Sequence, residues 1–146
     1  MNKKILIVYH SQGGNTEAAA QVVADGVSSI KGCQPVLKKA QDAGTEDLIS
    51  CAAVCFGTPD YFSYMAGMLK DFFDRTFYPT QGKIDDKPCA IFVTHGGGGT
   101  ASKSVEQLCR SFRLKQVGKT ILVKGKPDKE TQEHLRQLGI ALAKSV

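Results

Sequence analysis

Two short segments constrain the fold more than anything else in the chain. Ile5-Leu6-Ile7-Val8-Tyr9 and Ala90-Ile91-Phe92-Val93 are apolar without alternation. A strand with one wet face alternates apolar and polar residues, so an unbroken run needs cover on both faces, as in a parallel sheet between helices. Strands are predicted at residues 4–9, 35–39, 52–56, 88–94 and 117–123. Between them the apolar spacing becomes helical. Residues 16–30 place Ala19, Val22, Val23, Val27 and Ile30 on one face, and residues 66–77 do the same with Leu69, Phe72, Phe73 and Phe77. Residues 102–112 use Val105, Leu108, Cys109 and Phe112, and residues 129–144 use Leu135, Leu138, Leu142 and Ala143. A one-turn helix is predicted at residues 46–50, with Thr45 as its N-cap.

Strands alternating with helices imply right-handed crossovers. The expected fold is α/β: a doubly wound, five-stranded parallel sheet of order 2-1-3-4-5 with helices on both faces. In such sheets ligands bind beyond the carboxyl ends of the strands, where the winding reverses. Here that point lies between strands 1 and 3, flanked by strand 4. The segments after Tyr9, Phe56 and Thr94 are therefore expected to meet.

At 146 residues the chain reads as one domain, residues 1–146. Its 42% hydrophobic and 23% charged content excludes disordered, collagen-like and coiled-coil classes. No apolar run approaches the 18 residues of a membrane span, and the apolar run of residues 5–9 is too short for a secretory signal. Net charge is +5, and the basic residues form small clusters rather than one stripe, so nucleic-acid binding is not expected. Cys33, Cys51, Cys55, Cys89 and Cys109 are odd in number and form no C-x-x-C, which reads as reduced core thiols in a cytoplasmic protein.

The three converging segments carry the chemistry. In His10-Ser11-Gln12-Gly13-Gly14-Asn15-Thr16 the glycines admit a ligand to the backbone, and a helix N-terminus follows. Without a lysine, this nest of amides and hydroxyls suits a single phosphate. Neither the G-x-x-x-x-G-K-[ST] nor the G-x-G-x-x-G pattern is present. The plain alternative is a strand-to-helix turn capped by Asn15 or Thr16. Gly57-Thr58-Pro59-Asp60-Tyr61-Phe62-Ser63-Tyr64-Met65 has three aromatics in four residues, which form a wall for a planar ring or pack on the loop itself. Thr94-His95-Gly96-Gly97-Gly98-Gly99-Thr100 bares its main chain to the edge of a flat ligand. His95 is read as a solvated strand-end residue.

Ser11-Gln12-Gly13-Gly14-Asn15-Thr16 behind an apolar strand resembles the Ser/Thr-x-Thr-Gly-Asn-Thr phosphate loop of the flavodoxin family. Gly57-Thr58-Pro59-Asp60-Tyr61-Phe62, with the helix carrying Lys70-Asp71-Phe72-Phe73-Asp74-Arg75, resembles the second flavin loop of the branch that includes the WrbA-type NAD(P)H:quinone oxidoreductases. Thr94-His95-Gly96-Gly97 is similar to their third loop. The resemblance spans the chain and implies a flavodoxin-like fold with noncovalent FMN. It would have Ser11, Gln12, Gly13, Gly14, Asn15 and Thr16 hold the phosphate. Thr58, Pro59, Asp60, Tyr61 and Phe62 would line the ribityl chain and the ring, and Thr94, His95, Gly96, Gly97 and Gly98 would border the pyrimidine end. No catalytic side chain and no metal are implied.

The sequence departs from the family in three respects. Gly13 stands where the family has a threonine, the third loop lacks a stacking tyrosine, and the chain is basic where typical flavodoxins are acidic. The leading expectation is an electron carrier serving redox proteins that present acidic patches. The alternative is an FMN-dependent NAD(P)H:quinone or small-molecule reductase. Against it, the segment from Thr94 to Ser102 is too short for the insertion that builds the oligomeric substrate pocket of those enzymes, and a monomer is expected. A receiver module fits poorly, because Tyr9-His10-Ser11 replaces its acidic cluster.

Overall fold

A computed structural model describes residues 2–146. Strand β1 (Lys3–Tyr9) leads into helix α1 (Asn15–Ser28), followed by β2 (Cys33–Lys39) and the short α2 (Thr45–Ser50). Strand β3 (Ala53–Pro59), helix α3 (Gly67–Thr80), β4 (Pro88–His95) and α4 (Ser102–Ser111) come next. Strands β5 (Lys115–Gln116) and β6 (Ile121–Lys124) precede the final helix, α5 (Lys129–Lys144). The sheet order is β2-β1-β3-β4-β5, β6 also pairs with β4, and every pairing is parallel. The expected topology is therefore the observed one.

The unbroken apolar runs face both ways, as their composition requires. From β1, Leu6 and Val8 join Val54, Phe56, Ile91 and Val93 on the face covered by α3 and α4, where Phe56 and Phe73 pack with ring centroids 4.8 Å apart. Ile5, Ile7, Cys55 and Phe92 meet the opposite layer, formed by Val23 and Val27 of α1 and Leu135, Leu138 and Leu142 of α5. All five cysteines are free, and four are buried.

Three expectations change. Of the predicted strand at 117–123 only residues 121–123 are strand, in β6; the two-residue β5 precedes the span, and Gly118 turns the chain between them at φ +69°. Gln116 Nε2 donates to Thr120 Oγ1, and Thr120 donates to Glu106, stabilising the break. Gly57, Thr58 and Pro59 belong to strand β3 and pair with Phe92, Val93 and Thr94, so the second loop begins at Asp60. A Cβ on Gly57 would overlap the Phe92 ring, which is why glycine stands there. The N-cap of α2 is Gly44 rather than Thr45, and Asp47 Oδ2 accepts the Gly44 N–H at 2.9 Å.

Asp47 also accepts from Lys38 Nζ at 2.8 Å. Burial opposes its charge, but the Lys38 ammonium and the Gly44 amide hold its carboxyl below the ordinary range. A depressed carboxyl contributes stability above its unfolded value near 3.9 and loses it as pH falls through the folded value. Asp47→Asn is expected to lower the melting temperature at pH 7 and to narrow the gap from the parent at pH 3, followed by circular dichroism. An equal difference at both pH values would exclude this linkage.

Helices α1 and α5 approach so closely that a Cβ on Gly26 would overlap the Arg136 carbonyl, and one on Gly139 the Val23 carbonyl. Gly139→Ala is expected to destabilise the fold by about 1–3 kcal/mol, since rigid backbone has to separate. Urea unfolding measures this, and an unchanged midpoint would show that the two helices slide apart freely.

Candidate functional site

The ends of β1, β3 and β4 bring the three loops together around one open cleft of about 240 Å³. Gln12, Gly13, Asn15 and Thr16 line one wall, Pro59, Asp60 and Tyr61 another, and Thr94, His95 and Gly96 a third. A shallower hollow of about 280 Å³ continues past Gly97 and Gly98. A hollow of about 350 Å³ between α3 and α4 lies away from these strand ends, lined by Phe77 and Phe112.

The first loop is built as an open anion nest. Gly14 takes the left-handed conformation at φ +98° and serves as N-cap of α1 without a side-chain hydrogen bond. Neither Asn15 nor Thr16 caps the helix. Ser11 Oγ accepts the Gly14 N–H at 3.1 Å and sets the turn. The first helical bond runs from Ala18 N–H to the Gly14 carbonyl, so the amides of Asn15, Thr16 and Glu17 have no intrahelical acceptor. A Cβ at Gly13 would meet nothing within 4 Å. The Tyr9 phenol donates to Glu17 Oε1 at 3.1 Å, and burial followed by that carboxylate raises its pKa.

Thr16 is 2% exposed and Thr94 3%. Their hydroxyls lie 2.7 Å apart and join the first loop to the third. The second loop is fastened to both. Asp60 N–H donates to the Thr94 carbonyl at 2.8 Å, and Tyr61 Oη donates to Gln12 Oε1 at 2.9 Å. Asp60 Oδ1 accepts the Ser63 N–H, while Oδ2 accepts from Thr100 Oγ1 and the Ala101 N–H. Thr58 is fully buried; it donates to the Pro59 carbonyl and accepts the Ala66 N–H. The side chains of Thr58 and Asp60 thus organise the loops around the cleft.

Tyr61 and Tyr64 exchange backbone hydrogen bonds at 3.0 and 3.1 Å, closing a two-residue turn. Phe62 and Ser63 occupy it at φ 58° and 64°. Two consecutive left-handed residues match a type I′ hairpin turn, which normally selects Asn and Gly. Phe62 projects fully into solvent and is not part of the cleft lining, whereas Tyr61 is. In the third loop, Gly98 N–H donates to His95 Nδ1 at 2.9 Å. An accepting Nδ1 places the ring N–H on Nε2.

Of the residues singled out in the sequence, the structure brings together Gln12, Gly13, Asn15, Thr16, Pro59, Asp60, Tyr61, Thr94, His95 and Gly96, with Gly97 and Gly98 beside them. Gly125, not singled out by its sequence, also lines the cleft and donates its N–H to the His95 carbonyl at 2.9 Å. The available signal was its position just past a predicted strand adjacent to strand 4.

Comparisons with known proteins agree with this fold. A flavodoxin from Aquifex aeolicus (strain VF5) is 29% identical over 160 residues, covering 98% of this chain and 86% of that protein. The structure of a flavodoxin from the domain Archaea superposes with a TM-score of 0.89 at 23% identity, covering 97% of each chain. The flavodoxin, WrbA-like protein from Agrobacterium tumefaciens gives 0.81 at 24% identity, covering 99% of this chain and 97% of that one. Fold and site together define a flavodoxin-like flavoprotein. The family described as NADPH-dependent FMN reductase matches residues 28–128, and the chain belongs to it.

Proposed function

We propose that the protein is an electron carrier that holds FMN noncovalently in the cleft between the β1, β3 and β4 ends. The observation that carries this reading is the start of α1, uncapped by any side chain, whose Asn15 and Thr16 line the same cleft as Thr94, His95 and Gly96 of the third loop. The residues fit the group. Ser11, Gln12, Gly13, Gly14, Asn15 and Thr16 offer amides and hydroxyls to a phosphate dianion, aided by the helix dipole. Pro59 and Tyr61 flank the ring. Thr94, His95, Gly96, Gly97 and Gly98 supply main-chain groups and the His95 Nε2–H to its polar end. Thr58 and Asp60 hold that frame, and Phe62 marks its outer rim. Bound there, FMN would supply the redox chemistry, and the protein positions it and tunes its potential.

The partners of a carrier are redox proteins, and the basic surface fits partners with acidic patches. The five free thiols fit a reducing cytoplasm. Among the described residues no helix is long and apolar enough to cross a membrane. The working unit is proposed to be a monomer. Protein as isolated is expected to be yellow. Colourless protein that stays FMN-free after mixing with the cofactor would overturn the reading.

The family's description is compatible with the alternative of an FMN-dependent NAD(P)H:quinone or small-molecule reductase that takes hydride directly from NAD(P)H. Stopped-flow mixing separates the two. Slow reduction by NADPH alone, made fast by a separate reductase, is the expected result; fast direct reduction would assign the enzyme. Restoring a hydroxyl to the nest with Gly13→Thr is expected to tighten FMN binding several-fold, about 1 kcal/mol. Fluorescence quenching of FMN measures it, and weaker binding would mean the phosphate lies elsewhere.

A further inference from the structure

The charge of this protein is unevenly placed. Residues 1–100 contain nine Lys and Arg against ten Asp and Glu, whereas residues 101–146 contain ten against four. The whole net positive charge therefore belongs to the last third of the chain, and part of that segment forms one margin of the sheet. Strands β5 and β6 form that margin beyond β4, with α4 before them and α5 after. Lys115, Lys119, Lys124, Lys126 and Lys129 are all exposed along it. Among the described residues, none of the five lies within ion-pair distance of a carboxylate. Two carboxylates along this stretch are already engaged, Glu106 accepting from Thr120 and Asp128 capping α5 by accepting the Thr131 N–H, while Glu130, next to Lys129, is exposed and lies within ion-pair distance of none of the five. The margin also bears Leu122, 48% exposed, beside a shallow hollow of about 450 Å³ lined by Ser102, Gly118, Lys119 and Thr120. This margin abuts the cleft. Lys124 pairs in register with His95, and a Cβ at Gly99 would lie 3.1 Å from Leu122 Cδ2.

We propose that the β5–β6 margin, from Lys115 to Lys129 and centred on Leu122, is the docking face for an acidic redox protein whose one-electron centre approaches over the third loop. This rests on the reading of the cleft as an FMN site. Unpaired cations around one exposed aliphatic residue match the charged rim and apolar contact of a transient protein interface. Their side chains steer an anionic partner toward the cleft side that holds His95 and the glycine loop. Each transfer moves one electron from the reduced cofactor to the oxidised centre of the partner.

The test uses FMN-loaded protein reduced anaerobically with dithionite. Its reoxidation is followed with two one-electron oxidants, the trianion hexacyanoferrate(III) and the trication hexaammineruthenium(III), two equivalents per cofactor. A common change of flavin potential affects both oxidants, so the ratio of their rates reports mainly the local field. Charge reversal of Lys119, Lys124 and Lys126 to glutamate is expected to lower the anion-to-cation rate ratio about tenfold or more at low salt, and the loss should shrink as salt rises. Reversal of Lys3, Lys31 and Lys83, which are exposed elsewhere, changes net charge equally and should move the ratio far less. If the glutamate variant folds poorly, Lys124→Gln with Lys126→Gln carries the same comparison. An octaglutamate peptide should shift the amide resonances of residues 115–129 in the apoprotein, a readout independent of FMN. Equal ratios in margin and control variants would overturn the docking face, as would tight binding of duplex DNA at physiological salt. Failure of the parent protein to take up FMN would overturn the cleft assignment instead; the peptide shifts would then decide the margin on their own, their absence overturning it.

Discussion

Gly13→Asp is expected to weaken FMN binding at least a hundredfold while the apoprotein melts at the parent temperature. Position 13 has open space and no positive φ, so the backbone accepts a side chain there without strain. The new carboxylate stands beside the amides of Asn15, Thr16 and Glu17, where the phosphate is proposed to bind. Two unit charges about 4 Å apart repel by about 4 kcal/mol at the effective dielectric of a protein surface. The carboxylate also satisfies the free amides itself and competes for the positive end of the helix. Fluorescence titration and thermal unfolding measure the two quantities. Unchanged affinity would remove the phosphate from this loop; a lowered melting temperature would show that position 13 is a structural site.

Thr16→Ala is expected to have the second largest effect, acting on two quantities at once. The Thr16 and Thr94 hydroxyls share one hydrogen bond at 2.7 Å. When Thr94 donates, the Thr16 proton remains for the phosphate. Removing it deletes a bond to a charged group, about 1.5–3 kcal/mol, roughly tenfold to a hundredfold in affinity. It also leaves the Thr94 hydroxyl buried without its partner, so the apoprotein loses about 1–3 kcal/mol of stability. Thr16→Ser keeps the hydroxyl and should recover most of both. An alanine variant that loses stability but binds FMN normally would reduce the pair to a loop tie with no part in holding the phosphate.

Parts of this structure are written locally. The predicted bounds of the last helix, residues 129–144, match α5, because Leu135, Leu138, Leu142 and Ala143 repeat at helical spacing and Asp128 caps its start. Strand β1 is equally plain, since five adjacent apolar residues permit no helix face or wet strand face. Elsewhere local signals misled. The aliphatic run at 117–123 looked continuous, yet Gly118 and the Glu106–Thr120 bond divide it, and Glu106 lies on another element. The dense aromatics of the second loop leave open a wall for a planar ring or packing on the loop itself. The paired backbone bonds of Tyr61 and Tyr64 turn Phe62 outward and keep Tyr61 at the cleft.

The order of residues by itself determined the layering, the strand sequence and which three loops meet at the cleft. Those features follow from periodicity and from glycine placement, which act within a few residues. Only the tertiary structure decided how the loops are joined. The Thr16–Thr94 hydroxyl pair spans 78 positions, and the Asp60 contacts with Thr100 and Ala101 span 40 and 41. It also decided that lysines scattered through the last third share one margin beside the cleft. Hydrogen bonds and electric fields depend on distance through space, and parallel crossovers bring near in space what the chain keeps far apart.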